Sequence, residues 1–313
     1  MRATGHAPRN GWPSAPGPPL GAGWRGMISA PELATRLGLR KCRRDWRGSC
    51  PSCGYAASFS VRSGNSGRAL AWCSSCQDRD GLANALNRVT AGAWSPPVRK
   101  DPKSAAEAQA RKQEAAGKLW LGSIGASGTL ADKYLSARCL AGLATSPALR
   151  YRDDCSHPQG GTLPAMIAVV SNVEGVPIAV HRTYLDRVTA RKATVEPAKA
   201  SLGPIWTGAI RLHPVLPGQP LIIAEGIETA ASASLMIGAP AWASISCGNL
   251  HHAMELPAVA RDIIIAADKD DPGERAAQAA ARRWMDEGRQ VRIARPNGPG
   301  DFNHQLVWDR GNG

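Results

Sequence analysis

Carboxylate side chains follow two short apolar runs in the last third of the chain. The run at 221–224 is followed by Glu225, and the run at 263–267 is followed by Asp268 and Asp270. A short continuous apolar run is typical of a strand buried on both faces of a parallel sheet, and such sheets bind ligands at the carboxyl ends of their strands. We therefore expect Glu225, Asp268 and Asp270 to meet at one sheet edge. Converging carboxylates require a compensating cation, and oxygen ligands suit Mg²⁺ or Mn²⁺.

Four cysteines in the first quarter of the chain have the spacing of a metal site. Cys50, Cys53, Cys73 and Cys76 form the pattern C-x2-C-x19-C-x2-C. Two such pairs supply four thiolates, which suit tetrahedral Zn²⁺. The residues between the pairs predict two hairpin strands, so the segment is expected to be a zinc ribbon. Disulfides or free thiols are the alternative, which a cytoplasmic location disfavours.

The elements that would position the carboxylates alternate regularly. Strands are predicted at 221–224, 242–245, 263–266 and 290–294, and helices at 228–236, around 254–260 and at 272–287. Strand–helix alternation at this spacing predicts an α/β domain with a Rossmann-like parallel sheet and flanking helices. Residues 164–186 predict strands of a separate small sheet. The full prediction is a disordered tail at 1–26, a zinc-ribbon domain at 27–94, a linker at 95–103, an α+β middle subdomain at 104–215 and the α/β domain at 216–313.

The net charge of +13 is concentrated near the N-terminus. Residues 1–120 contain 19 Lys and Arg against 7 Asp and Glu, whereas residues 121–313 contain 19 against 18. A basic module joined to a near-neutral body is typical of a nucleic-acid-binding protein. The sequence has no apolar run near the ~18 residues of a membrane span and no apolar secretory segment at its N-terminus. We therefore expect a cytoplasmic protein without a membrane partner.

Two groups of basic residues are candidates for binding phosphates. Arg43, Arg44 and Arg47 precede the first cysteine pair and Trp72 precedes the second, and such a mixture can hold a single strand by phosphate contacts and base stacking. A solvated face around a structural zinc ion is the alternative. The second group is a candidate for binding the phosphates of a nucleotide or of a nucleic-acid backbone, and scattered surface charge is the alternative. It comprises Arg182, Arg191, Lys192, Lys199 and Arg211.

Several motifs resemble one family. The E-G at 225–226, the D-K-D at 268–270 and the D-P-G-E-R-A-A that follows resemble the Toprim domain of DnaG-type primases, topoisomerases and some nucleases. Residues 134–138, Y-L-S-A-R, resemble the Y-L-x-x-R-G segment of primase cores, with Cys139 where the family has Gly. Residues 300–303, G-D-F-N, resemble the family's K-D-x-D segment, with Gly300 and Asn303 as departures. With the four-cysteine ribbon, residues 28–306 resemble the Toprim primase-like proteins of phages and plasmids.

The resemblance implies a DNA primase that makes short RNA primers on single-stranded DNA from nucleoside triphosphates. It implies that Asp268 and Asp270 hold Mg²⁺ on the incoming triphosphate and that Glu225 completes the metal shell or accepts a proton. It further implies Asp301 as a metal ligand and Arg138 as a nucleotide or nucleic-acid contact. No G-x-x-x-x-G-K-[ST] loop is present, so a replicative helicase is expected to be a separate partner.

Other functions could use the same residues. A metal-dependent nuclease would cut a strand with Mg²⁺ and need no nucleoside triphosphate. A non-catalytic single-strand-binding replication accessory would carry a degenerate Toprim domain, which the intact acids disfavour because unused clustered carboxylates repel one another. A topoisomerase needs a nucleophilic Tyr in a gated body, and the four tyrosines here lie in no separate module. Asp271 is expected to cap the helix that follows it rather than to bind metal.

Overall fold

The computed structural model describes residues 28–42, 45–64, 67–76, 78–92, 94, 101–298 and 300–311. The predicted tail at 1–26, Arg43, Arg44 and the linker residues 95–100 lie outside these residues. Within them, a sheet of four strands, a sheet of five and a second sheet of five follow one another along the chain. None of the helices in this part of the chain combines the length and apolar character that a membrane span requires.

The N-terminal sheet is antiparallel, with its strands in chain order. Phe59, Val61, Leu33 and Leu86 belong to one buried cluster beneath it, and each of these side chains contributes about 1.5–3 kcal/mol on burial. The hydroxyl of Ser29 caps the first helix. The elements are α1 (Ala30–Arg36), β1 (Arg40–Cys42), β2 (Asp45–Gly48), β3 (Phe59–Ser63), β4 (Ala69–Cys73) and α2 (Arg79–Thr90).

The middle sheet is also antiparallel and in chain order, which agrees with the predicted α+β character. Its first helix begins at Pro102 with Asp101 as its cap, so the last residues of the predicted linker are helical. Proline favours the first turn of a helix, which explains this earlier start. The elements are α3 (Pro102–Leu121), β5 (Ile124–Gly125), α4 (Leu130–Ser136), a 3₁₀ turn (Ala141–Thr145), β6 (Leu149–Ser156), β7 (Thr162–Ser171), β8 (Pro177–Tyr184) and β9 (Lys199–Leu202).

The C-terminal sheet confirms the predicted α/β fold. Its elements are β10 (Ile210–Arg211), β11 (Leu221–Ala224), α5 (Ile227–Ile237), β12 (Ala241–Ala243), α6 (Cys247–His252), β13 (Asp262–Ala266), α7 (Asp271–Asp286), β14 (Gln290–Ala294) and α8 (Phe302–Gly311). The strand order is β10-β12-β11-β13-β14, and all neighbours are parallel except β10 with β12. β11 and β13 pair from Leu221 opposite Ile263 to Ala224 opposite Ala266. The residues after these two strands therefore emerge side by side.

One predicted helix of this sheet is wrong. Residues 254–260 are irregular apart from a turn at 258–259, and the helix lies earlier, at α6. The hydroxyl of Ser246 accepts a hydrogen bond of 3.2 Å from the N–H of Asn249 and caps that helix. A serine cap starts a helix directly after itself, which accounts for the earlier position.

The middle and C-terminal sheets share one hydrophobic core. A single buried cluster contains Tyr134 and Met166 from the middle sheet region together with Ile222 and Phe302 from the C-terminal one. In addition, β10 precedes the predicted boundary at 215/216 yet pairs with β12 of the C-terminal sheet. The C-terminal sheet therefore takes one strand from before the boundary, and the division at 215/216 stays a proposal.

Candidate active site and zinc centre

The four cysteines of the predicted zinc site lie close together beside the N-terminal sheet. Their Sγ atoms all lie within 4.8 Å of one another. Cys50 and Cys76 have their sulfurs 4.0 Å apart, and Cys53 and Cys73 have theirs 3.8 Å apart. Tetrahedral Zn²⁺ with Zn–S bonds of about 2.3 Å holds its sulfurs about 3.8 Å apart. The donor atoms and their spacing therefore fit a structural zinc ion.

Glu225 and Asp268 emerge from adjacent strands at the carboxyl edge of the C-terminal sheet. Burial, followed by the charge of Asp268, raises the pKa of Glu225 to about 8. Burial, followed by the charges of Asp301 and Asp270, raises the pKa of Asp268 to about 6. Oε2 of Glu225 is buried without a hydrogen-bond partner. A buried acceptor without a partner costs free energy, so this oxygen suits a cation ligand.

Asp270 and Asp301 each cap a helix that begins at this edge. Oδ1 of Asp270 accepts a hydrogen bond of 2.7 Å from the N–H of Gly273, and Oδ1 of Asp301 accepts one of 2.8 Å from the N–H of His304. The expectation that Asp271 is the cap is wrong by one residue, since Asp271 is the first helical residue of α7. Each cap uses one carboxylate oxygen, and the positive helix N-terminus stabilises the charge.

These acids are close enough to influence one another but are less tightly gathered than the cysteines. Over the described ranges, the cysteine cluster is the one group of three or more His, Cys, Asp or Glu whose donor atoms all lie within 4.8 Å of one another. The looser acid spacing suits Mg²⁺, which usually takes one or two carboxylates and completes its shell with water and substrate phosphates. Glu225, Asp268 and Asp270 would be its ligands, with Asp301 beside them.

The ribbon residue Tyr55 lies beside Glu225. It packs against the buried cluster of the C-terminal sheet. Burial, and after it the neighbouring Glu225, raises the pKa of the Tyr55 phenol above its usual value. No sequence pattern links Tyr55 to the acids. It follows Cys53 by two residues, and this position predicts only that it lies near the zinc site.

Two further contacts join the ribbon to this edge. The guanidinium of Arg275, on α7, donates a hydrogen bond of 2.7 Å to the carbonyl of Cys53. The N–H of Gly248, on α6, donates one of 2.9 Å to the carbonyl of Ser75. The cysteine cluster and the acids are therefore neighbouring parts of one region.

A cleft of about 560 Å³ adjoins the acids where the middle and C-terminal sheets meet. Arg138 and Lys192, two of the predicted phosphate-binding residues, line it together with Arg191, Tyr134 and Asp301. Asn303 orients Arg138: its Oδ1 accepts a hydrogen bond of 2.9 Å from Nη1, and its amide donates one of 2.9 Å to the Arg138 carbonyl. Three cationic side chains therefore line the cleft, and Asp301, one of the acids at the sheet edge, lines it as well.

Lys192 and Lys199 both pair with Glu228, which sequence analysis did not select. Nζ of Lys192 lies 3.5 Å from Oε1 of Glu228, and Nζ of Lys199 lies 3.3 Å from Oε2. The Tyr134 hydroxyl donates to the same carboxylate. Burial alone would raise the pKa of Glu228, but the two lysines hold it well below its usual value. The sequence feature that could have indicated Glu228 is a single acid within the otherwise uncharged α5.

Arg182 and Arg211 do not line this cleft. Arg182 is buried on β8 and donates three hydrogen bonds of 3.0–3.3 Å to main-chain carbonyls. Arg211, on β10, donates to two carbonyls of the turn before β8 and lies 4.4 Å from the centre of the Trp242 ring. Main-chain carbonyls occupy the donors of Arg182, whereas Arg211 keeps a buried Nε without a partner and packs against Trp242 away from the cleft. Their phosphate-binding role stays a prediction.

Arg47 and Trp72 share one face of the N-terminal sheet. Arg47 is opposite Ser60, and Ser60 is opposite Trp72, so their side chains lie in one row across three strands. The Trp72 side chain is 51% exposed. Ser60 separates the two residues, and the Arg47 side chain is 16% exposed and lies 3.8 Å from the Asp45 carboxylate. Trp72 therefore offers an open surface for base stacking on this face, with a largely covered guanidinium two strands away.

Two domain models match parts of the chain. Residues 220–310 match the Toprim domain, and residues 110–212 match a domain of unknown function (DUF7146). No curated protein matches the sequence.

The overall fold is similar to that of solved primase structures at low identity. The primase fragment of the bacteriophage T7 primase-helicase protein is 14% identical, with a TM-score of 0.41, over 85% of this chain and 95% of that one. The Aquifex aeolicus primase, with its zinc-binding and RNA polymerase domains, is 13% identical, with a TM-score of 0.41, over 91% and 85%. The RNA polymerase domain of Mycobacterium tuberculosis DnaG is 14% identical, with a TM-score of 0.43, over 65% and 82%. At these values the similarities say nothing about individual residues. The domain match, the mostly parallel sheet and the acids at its edge identify residues 220–310 as a Toprim domain.

Proposed function

We propose that this protein is a DNA primase that synthesises short RNA primers on single-stranded DNA by Mg²⁺-dependent nucleotidyl transfer. The observation that carries the proposal is the edge of the Toprim sheet. There Glu225 presents a buried oxygen without a partner next to Asp268, and Asp301, whose charge acts on Asp268, lines a cleft with a basic wall. Acids that bind a divalent cation next to cations that bind phosphates are the groups that phosphoryl transfer requires.

The acids have separate tasks in this proposal. Asp268 and Asp270 would hold one or two Mg²⁺ or Mn²⁺ ions, with Asp301 as a further ligand. The bound cation would polarise the α-phosphate and stabilise the departing pyrophosphate. Glu225 would complete the ligand set or accept the proton of the attacking 3′-hydroxyl.

The cleft would hold the triphosphate. Arg138 and Lys192 lie on its wall, where guanidinium and ammonium groups can donate charge-assisted hydrogen bonds to phosphate oxygens. Lys199 does not line the cleft, and its ammonium group pairs with Glu228 next to Lys192. Arg182 and Arg211 are not part of this set, because neither lines the cleft and the donors of Arg182 are bonded to main-chain carbonyls.

The ribbon would hold the template. Arg47 would contact a phosphate and Trp72 would stack on a base, on one face of the sheet. Arg43 and Arg44 are further predicted contacts to the template phosphates. Because the ribbon lies against the Toprim edge through Cys53 and Ser75, a strand bound on it would pass close to the acids. A separate replicative helicase also stays a predicted partner.

Primer synthesis on single-stranded circular DNA with labelled nucleoside triphosphates and Mg²⁺ tests the proposal. Glu225→Gln is expected to lower synthesis by about 100-fold or more, while template binding and the fold persist. Glu274→Gln is the matched control, since Glu274, on α7, pairs with Arg295 after β14 and belongs neither to the cleft lining nor to the acids at the sheet edge. Normal synthesis by Glu225→Gln would contradict the proposal. Shortened template without added triphosphates would indicate a nuclease, and binding alone an accessory protein.

A further inference from the structure

We propose that Glu228 is a positioning residue that anchors Lys192 and Lys199, so that Lys192 meets the phosphates of a nucleoside triphosphate in the cleft and Lys199 adds positive charge behind it. This inference rests on the proposed function and adds a residue that acts through the two lysines rather than on the substrate.

Glu228 lies beneath the lysines rather than beside the cleft. Its side chain is 6% exposed, whereas the side chains of Lys192 and Lys199 are 32% and 34% exposed. Lys192 and Tyr134 line the cleft, and Glu228 is absent from its lining. The carboxylate therefore contacts the ammonium groups from below, while the lysines keep part of their surface open.

The contacts to Glu228 come from separate parts of the chain. Tyr134 is on α4, Lys199 begins β9, and Lys192 lies in the connection between β8 and β9, whereas Glu228 is in the first turn of α5. One carboxylate therefore ties three segments of the middle region to the Toprim domain. Lysine is long and flexible, so a fixed ammonium position needs an anchor of this kind.

The charges at this cluster do not cancel. A buried carboxylate that served only packing would be satisfied by a single cation, but Glu228 holds two ammonium groups and also accepts from the Tyr134 hydroxyl. One positive charge is left over, and Arg138 and Arg191 add to it on the same cleft wall. Excess positive charge beside an acid edge suits a metal-bound triphosphate.

The two lysines also depend on Glu228 to remain together. Burial, together with the charge of Lys199, lowers the pKa of Lys192, and the Glu228 carboxylate opposes both effects. The groups that face Lys192 from the surrounding elements are Glu228, Lys199, Arg138 and His181. Lys199 in turn acts on Glu225 and Asp268, so the pair stands between the cleft and the acids.

Displacement of trinitrophenyl-ATP from the full-length chain by MgATP and by AMP tests the inference. For Glu228→Gln we expect MgATP to bind at least about tenfold more weakly while AMP changes little, because AMP has no β- or γ-phosphate to meet the lysines. Glu228→Asp, which retains the charge, should recover part of the preference for MgATP. In the double variant Glu228→Gln/Lys192→Met, the second substitution should add little further loss, since both act on one interaction.

The outcomes separate the inference from the proposed function. Failure of the wild-type chain to bind MgATP would overturn both. Wild-type binding with unchanged MgATP affinity in Glu228→Gln would overturn the inference alone. An equal loss of MgATP and AMP affinity would assign Glu228 a purely structural role and also overturn it. If Glu228→Gln does not fold, as judged by thermal unfolding, Lys199→Met must show the same selective loss of MgATP for the inference to stand.

Discussion

The main-chain N–H of Gly248, on α6 of the Toprim domain, donates a hydrogen bond of 2.9 Å to the carbonyl of Ser75 in the second cysteine pair. A Cβ added at Gly248 would lie 2.1 Å from that oxygen, so this approach requires glycine. Sγ of the neighbouring Cys247 lies 2.6 Å from the Ser75 hydroxyl. The ribbon therefore contacts the Toprim domain through its main chain, close to the acids.

Gly248→Ala is expected to release the ribbon from the Toprim domain without loss of zinc. The added methyl group meets main-chain oxygen, which cannot turn aside as a flexible side chain would. Hydrogen exchange of residues 247–252 should accelerate, and primer synthesis should fall because the template surface is no longer held beside Glu225. Gly142→Ala is the control, since a Cβ there meets nothing within 4 Å. Unchanged exchange at 247–252 would refute the expectation.

The cysteine cluster predicts one zinc ion per chain. Cys73→Ser should lose this metal and unfold the ribbon, because a domain this small has too little core to fold without it. Cys42→Ser, at a cysteine outside the cluster, should retain the metal. Zinc content by mass spectrometry and proteolysis of the N-terminal segment provide the measurements. Full zinc in the Cys73→Ser protein would show that the cluster is not the site.

Glu225 should make the metal-free protein sensitive to pH. With a folded pKa of about 8 against an ordinary value of 4.5, the folded chain keeps a proton that the unfolded chain releases between these values. Stability contributed by the protonated form is therefore present at low pH and is lost as the pH rises towards 8. Gln carries no charge at any pH, so the Tm of Glu225→Gln minus that of the wild type should increase between pH 5 and pH 9.

This difference should shrink when Mg²⁺ is added at the higher pH, because a bound cation favours the charged carboxylate. Thermal unfolding of both proteins in buffers with a chelator and with Mg²⁺ supplies the comparison. A Tm difference that is constant with pH would mean that Glu225 is not perturbed by its surroundings.

Asn303 should act through Arg138 rather than as a metal ligand. Its amide donates hydrogen bonds to the Arg138 carbonyl at 2.9 Å and the Ser232 hydroxyl at 3.0 Å, and the side chain is buried. Asn303→Ala would leave these groups without partners and should lower the free energy of unfolding by about 1–3 kcal/mol. The KM for nucleoside triphosphates should rise as Arg138 loses its anchor, while Mg²⁺ affinity stays unchanged.

Asp309→Ala, on the exposed side of α8, is the control for Asn303→Ala and should change stability by less than about 0.5 kcal/mol. A large loss of Mg²⁺ affinity in Asn303→Ala, measured by calorimetry, would instead assign Asn303 to the metal site.

Local patterns were sufficient for several features. The cysteine spacing indicated the cluster, because a CxxC pair places two sulfurs on one turn whatever surrounds it. The apolar runs before Glu225 and Asp268 indicated adjacent parallel strands, because only strands buried on both faces lack polar alternation. The cap of α7 was misplaced by one residue, since capping depends on backbone angles that Asp270 and Asp271 could both have supplied.

The sequence by itself determined the chemistry that the chain carries: four thiolates, three acids after two strands, and an excess of cations. Only the tertiary structure decided which of those groups face one another. Tyr134 and Glu228 are 94 residues apart, and Arg138 and Asn303 are 165 apart, so no local pattern could pair them. The same packing buried Arg182 among carbonyls and left Lys192 at the cleft. A side chain's charge follows from its identity, but its availability depends on the acceptors that folding brings to it.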